Sequence, residues 1–331
     1  MSPNEWVPIR WSSGPLDADS RTTESEREAL GALHRPAALD LLTGTPFNCL
    51  VLSFATGKEQ DAEQQKTLAP LIEEAKRRQF TVLGRIIGPA ETYLSAARTA
   101  GLDGVITDAP VANSPLPAFA VTGAASLEDS QSILPVKGCE WPAVRLSRSG
   151  NAESGPTGYP WVNANGWRIQ LARTLHPSAT VWSMAEPRKA QVPVRPELYA
   201  LAVADAAAYG GRWLVTLDSH TQTGLVKQST EAREAWATLV KAVRFFELRR
   251  KVSTEVITRF GILSTFAGEN EAVAQESLNL SFRRQFPARI LHPSRLGNKW
   301  SNGLRAIAVI GNETDRNVLQ PALDAGATVL A

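Results

Sequence analysis

Short apolar runs rich in β-branched and aromatic residues recur along the first two-thirds of the chain, and amphipathic stretches separate most of them. In order they are "WVPIRW" (6–11), "FNCLVLSFA" (47–55), "FTVLGRI" (80–86), "GVITDA" (104–109), "AFAVTG" (118–123), "PAVRLS" (142–147), "ATVWSMA" (179–185) and "RWLVTLD" (212–218). Runs this short and continuous predict strands buried on both faces, as in parallel sheets. The intervals predict helices over 24–42, 58–78, 90–100, 125–134, 164–175, 195–209 and 228–250. Acids open the first two, as the positive end of a helix dipole prefers. Pro70 is expected to kink or divide the second. The interval "PVANSPLP" is too short and too rich in proline for a helix.

Eight strands alternating with helices over about 215 residues predict an α/β fold of the (β/α)8 TIM-barrel type, spanning 1–252. Its rival is an open doubly wound sheet. The glycine-rich first turn of that fold has no counterpart in "WSSGPLDADSR", which holds one glycine.

A second pattern follows over 253–331. It runs from a strand "FGILSTF" through a helix from Glu269 to about Gln285 to a strand "ARILHP". A polar loop, a strand "GLRAIAVIG", a helix within "TDRNVLQPALDAG" and a strand "ATVLA" complete it. This predicts a smaller flavodoxin-like α/β domain. Ending within a strand fits either a shortened sheet or a strand at the edge.

Composition narrows the partners. Of 331 residues, 43% are hydrophobic and 21% charged, an ordinary globular balance. The 35 basic and 33 acidic residues are intermixed, so no basic block calls for nucleic acid or an anionic membrane. No apolar stretch approaches the roughly 20 residues of a spanning helix. The opening "MSPNEWVPIRW" lacks a secretory pattern, which fits a cytoplasmic chain or an exported one with its signal removed. Cys49 lies in an apolar run and is expected as a buried free thiol; with Cys139 it allows at most one disulfide. His34, His176, His220 and His292 are scattered without metal-ligand spacing. Nucleotide, flavin and G-x-S-x-G signatures are missing, so no cofactor is expected.

The stretch "GILSTFAGENEAVAQESLNLSFRRQFPARILHPSRL" resembles the flavodoxin-like trimerisation domain that follows the catalytic barrel in beta-galactosidases and related glycoside hydrolases. The resemblance covers about 260–331. It implies a carbohydrate-active barrel, a saccharide substrate and self-association through the C-terminal domain, with Glu269 and Glu271 capping a helix.

In a (β/α)8 barrel the active site lies at the C-terminal ends of the strands. There the sequence offers Arg10 and Trp11, Arg85, Asp108, Arg145 and Arg148, Glu186, and Asp218 with His220. Glycosidic cleavage needs a proton donor and a second carboxylate, about 5 Å apart for retention and about 6.5–9.5 Å for inversion. Barrel hydrolases that resemble this architecture carry the acid/base after strand four and the nucleophile after strand seven. The matching residues are Asp108 and Glu186. The chain departs from the family pattern, with Thr107-Asp108 where Asn-Glu is usual. Asp218 could replace either partner or orient a sugar hydroxyl, and each acid could instead form an ion pair with a mouth arginine.

The segment "SRSGNAESGPTGYPWVNANGWRIQLAR" is rich in turn residues and aromatics, as a shaped binding loop requires. Trp161, Asn163 and Asn165 are its candidate saccharide contacts, since indole faces cover pyranose rings and amides match hydroxyls. Asn163 or Asn165 could otherwise cap the following helix, with Trp167 in the core. Trp11, Arg85, His220 and Asp218 complete the candidate binding set. Two functions stay open: a glycoside hydrolase, or a saccharide-binding scaffold on a barrel that lost catalysis. A lyase or isomerase using His220 and an arginine is a third.

Overall fold

A computed structural model describes residues 2–11, 22–127, 131–141, 165–187, 194–252, 257–286, 288–311 and 316–330. The fold is α/β, and every pair of strands in it is parallel.

Six strands form the largest sheet: β1 (Pro8–Arg10), β2 (Cys49–Ala55), β3 (Thr81–Ile86), β4 (Gly104–Thr107), β5 (Ala118–Ala120) and β9 (Val215–Thr216). They lie in the order β5-β4-β3-β2-β1-β9. A second ladder joins β6 (Ile133–Val136), β7 (Thr180–Ser183) and β8 (Arg212–Trp213) in that order. Two links connect the ladders. Just past β5, Thr122 bridges Val136 of β6 in parallel sense, its N–H donating to Pro135 O at 2.9 Å. At the other side only Leu214 separates β8 from β9, so one run of chain pairs with β7 through Trp213 and with β1 through Val215.

The strands segregate their side chains by the alternation that a pleated backbone imposes. On β2, Leu50, Leu52 and Phe54 join a large core under the helices, while Cys49 and Val51 face a second cluster. That second cluster also draws in Trp6, Leu83, Ile106, Phe119, Ile133, Trp182 and Leu214, and so unites residues from both ladders.

The helices between them start and stop where local chemistry dictates. α1 (Glu24–Leu33) opens on a capping box in which Thr23 and Glu26 satisfy each other's backbone N–H groups. The predicted helix over 24–42 does not continue, because Pro36 starts a separate 3-10 stretch, Pro36–Leu42. α2 (Asp61–Arg77) runs through Pro70 without dividing. α3 (Leu94–Thr99), α4 (Gly166–Leu175), α5 (Pro196–Ala208), α6 (Ser219–Val226) and α7 (Thr230–Leu248) follow. Gln228 and Ser229 separate the last two, with Gln228 at φ 58 and Ser229 capping α7 through Ala232 N–H.

The sixth strand corrects the sequence reading. The expected helix over 125–134 does not form in its C-terminal part, since Ile133 and Leu134 belong to β6. The run is only four residues long and contains Pro135, which hides it from a pattern search. The expected strand over 142–147 lies outside the described residues.

The chain then forms a separate four-stranded sheet from β10 (Phe260–Leu263), β11 (Arg289–Leu291), β12 (Ala306–Val309) and β13 (Thr328–Leu330), in the order β11-β10-β12-β13. α8 (Glu271–Arg283) and α9 (Arg316–Asp324) connect them. α8 buries Ala274, Leu278 and Phe282 in the same core as α4, and the Phe282 ring lies 5.4 Å from that of Tyr209. Among the described residues no helix is long and apolar enough to cross a membrane.

Candidate functional site

Parallel strands deliver their C-terminal ends to one side, and two arginine–carboxylate pairs stand there. Arg10, the last residue of β1, has Nη1 at 2.5 Å from Glu186 Oε1, three residues past β7. Because the β8–β9 run lies between β1 and β7, this pair reaches across it, over two inter-strand spacings or about 10 Å of sheet. Glu186 stays 58% exposed against 17% for Arg10, so the acid is the open end of the pair.

Arg85 of β3 makes the second pair, its Nη2 donating to Asp108 Oδ1 just past β4. Arg85 is fixed from behind, because Nη1 donates to Ile86 O at 2.8 Å and to Ile106 O at 3.2 Å. The other oxygen of Asp108 accepts the Gly88 N–H at 3.2 Å. Gly88 has φ +90, a backbone conformation that favours glycine, and this turn aims the N–H at Asp108.

Asp218 has a different role. It is the N-cap of α6: Oδ1 accepts from His220 N at 2.9 Å and Thr221 N at 3.1 Å. Its Oδ2 accepts from Thr221 Oγ1 at 2.6 Å and from the buried Tyr199 hydroxyl. Burial, and then the Asp218 charge, push the Tyr199 phenol well above its ordinary range, so it stays a donor. These donors occupy both Asp218 oxygens. His220 is exposed in the first turn of α6.

Trp11 is 2% exposed and donates its indole N–H to Leu33 O at 3.0 Å, which makes it part of the packing between β1 and α1. Asn165 is likewise buried and does not cap α4 with its side chain. Instead it clamps two segments: Oδ1 accepts Glu140 N–H at 2.7 Å, while Nδ2 donates to Glu140 O at 2.9 Å and to Asp205 Oδ2 at 2.8 Å. Trp167 is buried in the core. Trp161, Asn163, Arg145 and Arg148 lie outside the described residues. Both cysteines are free; burial pushes the Cys49 thiol well up and that of Cys139 up to about 12, so neither is a ready nucleophile.

Asp205 carries a consequence for stability. Burial raises its carboxyl to about 6, against the opposing hydrogen bonds from Asn165. Between about pH 4 and pH 6 the folded chain therefore binds more protons here than the unfolded chain does, and this group's contribution to stability falls as pH rises. Above pH 6 the cost reaches up to about 3 kcal/mol. Replacing Asp205 with Asn, whose amide oxygen can accept both Asn165 bonds, is expected to leave urea stability unchanged at pH 4 and raise it at pH 7. Equal effects at both pH values would refute the assignment.

No protein-family model matches the chain, and no characterised protein matches it in sequence. Its class rests on the coordinates: an α/β protein built on parallel sheets, with two arginine–carboxylate pairs at their C-terminal ends.

Proposed function

We propose that residues up to 252 form a closed (β/α)8 barrel whose mouth binds a saccharide, followed by a flavodoxin-like domain. The pairings support closure: they run from β1 through β5, pass to β6 at Thr122, and return from β7 to β1 along the 212–216 run. The cluster holding Trp6, Trp182 and residues from both ladders is then the side-chain filling of the barrel. In the C-terminal sheet, β10 has β11 and β12 as its two neighbours, which suits half of a flavodoxin-like sheet.

The single observation that carries the binding reading is the paired mouth. Each pair offers a planar guanidinium beside a carboxylate, a donor and acceptor set of the kind that polyol hydroxyls match. Recognition fits this arrangement better than cleavage does, since both oxygens of Asp108 are already engaged by Arg85 and Gly88 and neither is held as a proton donor.

Hydrolysis is the second reading, favoured by Glu186. Its Oε2 accepts no hydrogen bond among the described residues, and the side chain is mostly exposed. In that reading Glu186 is the nucleophile or base and Asp108 the acid.

One experiment separates the two. Native chain, Glu186→Gln and Asp108→Asn are titrated with a panel of oligosaccharides and assayed on aryl glycosides. Binding without turnover, weakened about tenfold in either variant, is the expected result, a change of about 1.4 kcal/mol. Turnover that disappears in both variants selects the hydrolase. Saccharide affinity and turnover unchanged by both substitutions would remove the mouth from either role.

A further inference from the structure

A cavity of about 400 Å³ lies beside the mouth, between the ends of β5 and β6 and the turn that joins β10 to α8. Gly123–Ser126, Lys137 and Gly138 line it from the first sheet system, Trp167 and Arg168 from α4, and Phe266, Ala267, Glu271 and Gln275 from the C-terminal unit. That volume is within the range of small-molecule sites.

Its polar groups are unbalanced towards donors. Arg168 lies 4.3 Å above the Trp167 ring, and Lys137 is exposed at the rim. Among the described residues neither cation has a carboxylate within ion-pair distance. The Trp167 side chain is 3% exposed, and its indole N–H has no acceptor among the described residues. The one acid in the lining, Glu271, already accepts Gln275 Nε2 at 2.9 Å.

Backbone features add to this. Trp167 and Arg168 sit in the first turn of α4, and Glu271 is the first residue of α8, so two helix N-termini converge on the cavity. Gly138, at φ +78, lies against Arg168: a Cβ there would make an ordinary van der Waals contact with its Nε at 3.6 Å. Phe266, at φ 53 and fully buried, turns the chain after β10 so that Ala267 and the start of α8 close the far wall.

The geometry points to a binding site for a small organic oxyanion, with Arg168 and Lys137 as its charge partners and the two helix N-termini as its backbone donors. The oxyanion is a carboxylate or a phosphate ester. The inference does not depend on what the mouth binds.

Calorimetric titration of the full chain in low-salt buffer free of phosphate tests it, with glucuronate, glucose 6-phosphate and glucose as probes. The expected result is binding of one or both anions and at least tenfold weaker binding of glucose; the tighter anion identifies the source. Arg168→Gln should weaken the anion at least tenfold and Lys137→Gln several-fold, the latter at an exposed position that does not threaten folding. Absence of anion binding, glucose binding as tight as the anions, or native affinity in both Arg168→Gln and Lys137→Gln would overturn the site. Affinity lost in Glu186→Gln but kept in Arg168→Gln would move the anion to the mouth and overturn it equally.

Discussion

Trp182→Ala should cost about 3–5 kcal/mol of stability, the range seen when a buried large aromatic is truncated. Trp182 is fully buried and belongs to the cluster that unites residues of both ladders. Its ring centroid lies 6.5 Å from that of Trp6, which in turn meets Phe119 edge-on at 6.0 Å. Most of the cluster's members lie on strands of the two ladders, whose backbone hydrogen bonds oppose any collapse into the space left. The void would therefore persist, and cost rises with the volume that stays empty. Urea denaturation measures the effect, and Trp182→Phe should lose less than half as much. A loss below about 1 kcal/mol for the alanine variant would mean that the site relaxes freely, contrary to this packing.

The second large effect is expected at Glu247. Arg212 of β8 is buried and forms a two-point pair with it, Nε to Oε1 at 2.8 Å and Nη2 to Oε2 at 3.0 Å. Its Nη1 donates to Asn4 O at 2.8 Å, so a single guanidinium ties the β8 strand to α7 and to the first turn of the chain. Glu247→Ala leaves that cation buried with one acceptor. Breaking a buried pair on one side costs about 3–5 kcal/mol, and the 22% exposure of Glu247 puts this case near the lower figure. Replacing both partners with apolar residues, Arg212→Met with Glu247→Leu, should recover most of the loss, because the penalty lies in the stranded charge. A double-mutant cycle reads the coupling directly, and additive losses would contradict the pair.

The strands that were legible in the sequence are those whose apolar runs are long and β-branched, such as Cys49–Ala55 and Thr81–Ile86. The sixth was not, because four residues around Pro135 carry too little pattern. Pro70 was expected to kink or divide its helix; the helix does not divide, and Leu68, Leu71 and Ile72 are buried along it. The sequence placed Glu186, Asp108, Arg85 and Arg10 at strand ends and left open an ion pair with an arginine for each acid; two such pairs form, Arg10 with Glu186 and Arg85 with Asp108. What it left open was the pairing, since Arg10 and Glu186 are 176 positions apart and only the fold brings them together. Asp218 was expected as a catalytic partner, a sugar-orienting group or one half of an ion pair; instead its carboxylate caps α6, a role the sequence reading did not assign. The donor-rich cavity at Arg168 had no sequence signal, because it draws on four separated segments of chain.

The pairing of β1 with β9 also bears on how the chain is made. Ile9 leaves the ribosome 206 positions ahead of its partner Val215. At about 5–20 residues per second, that interval is about 10–40 seconds of synthesis. During it, β1 can pair with β2 on one side only, and its other edge stays open. A nascent chain of this protein is thus expected to need shielding of that edge, by a chaperone or by the ribosome surface, until residue 216 has emerged.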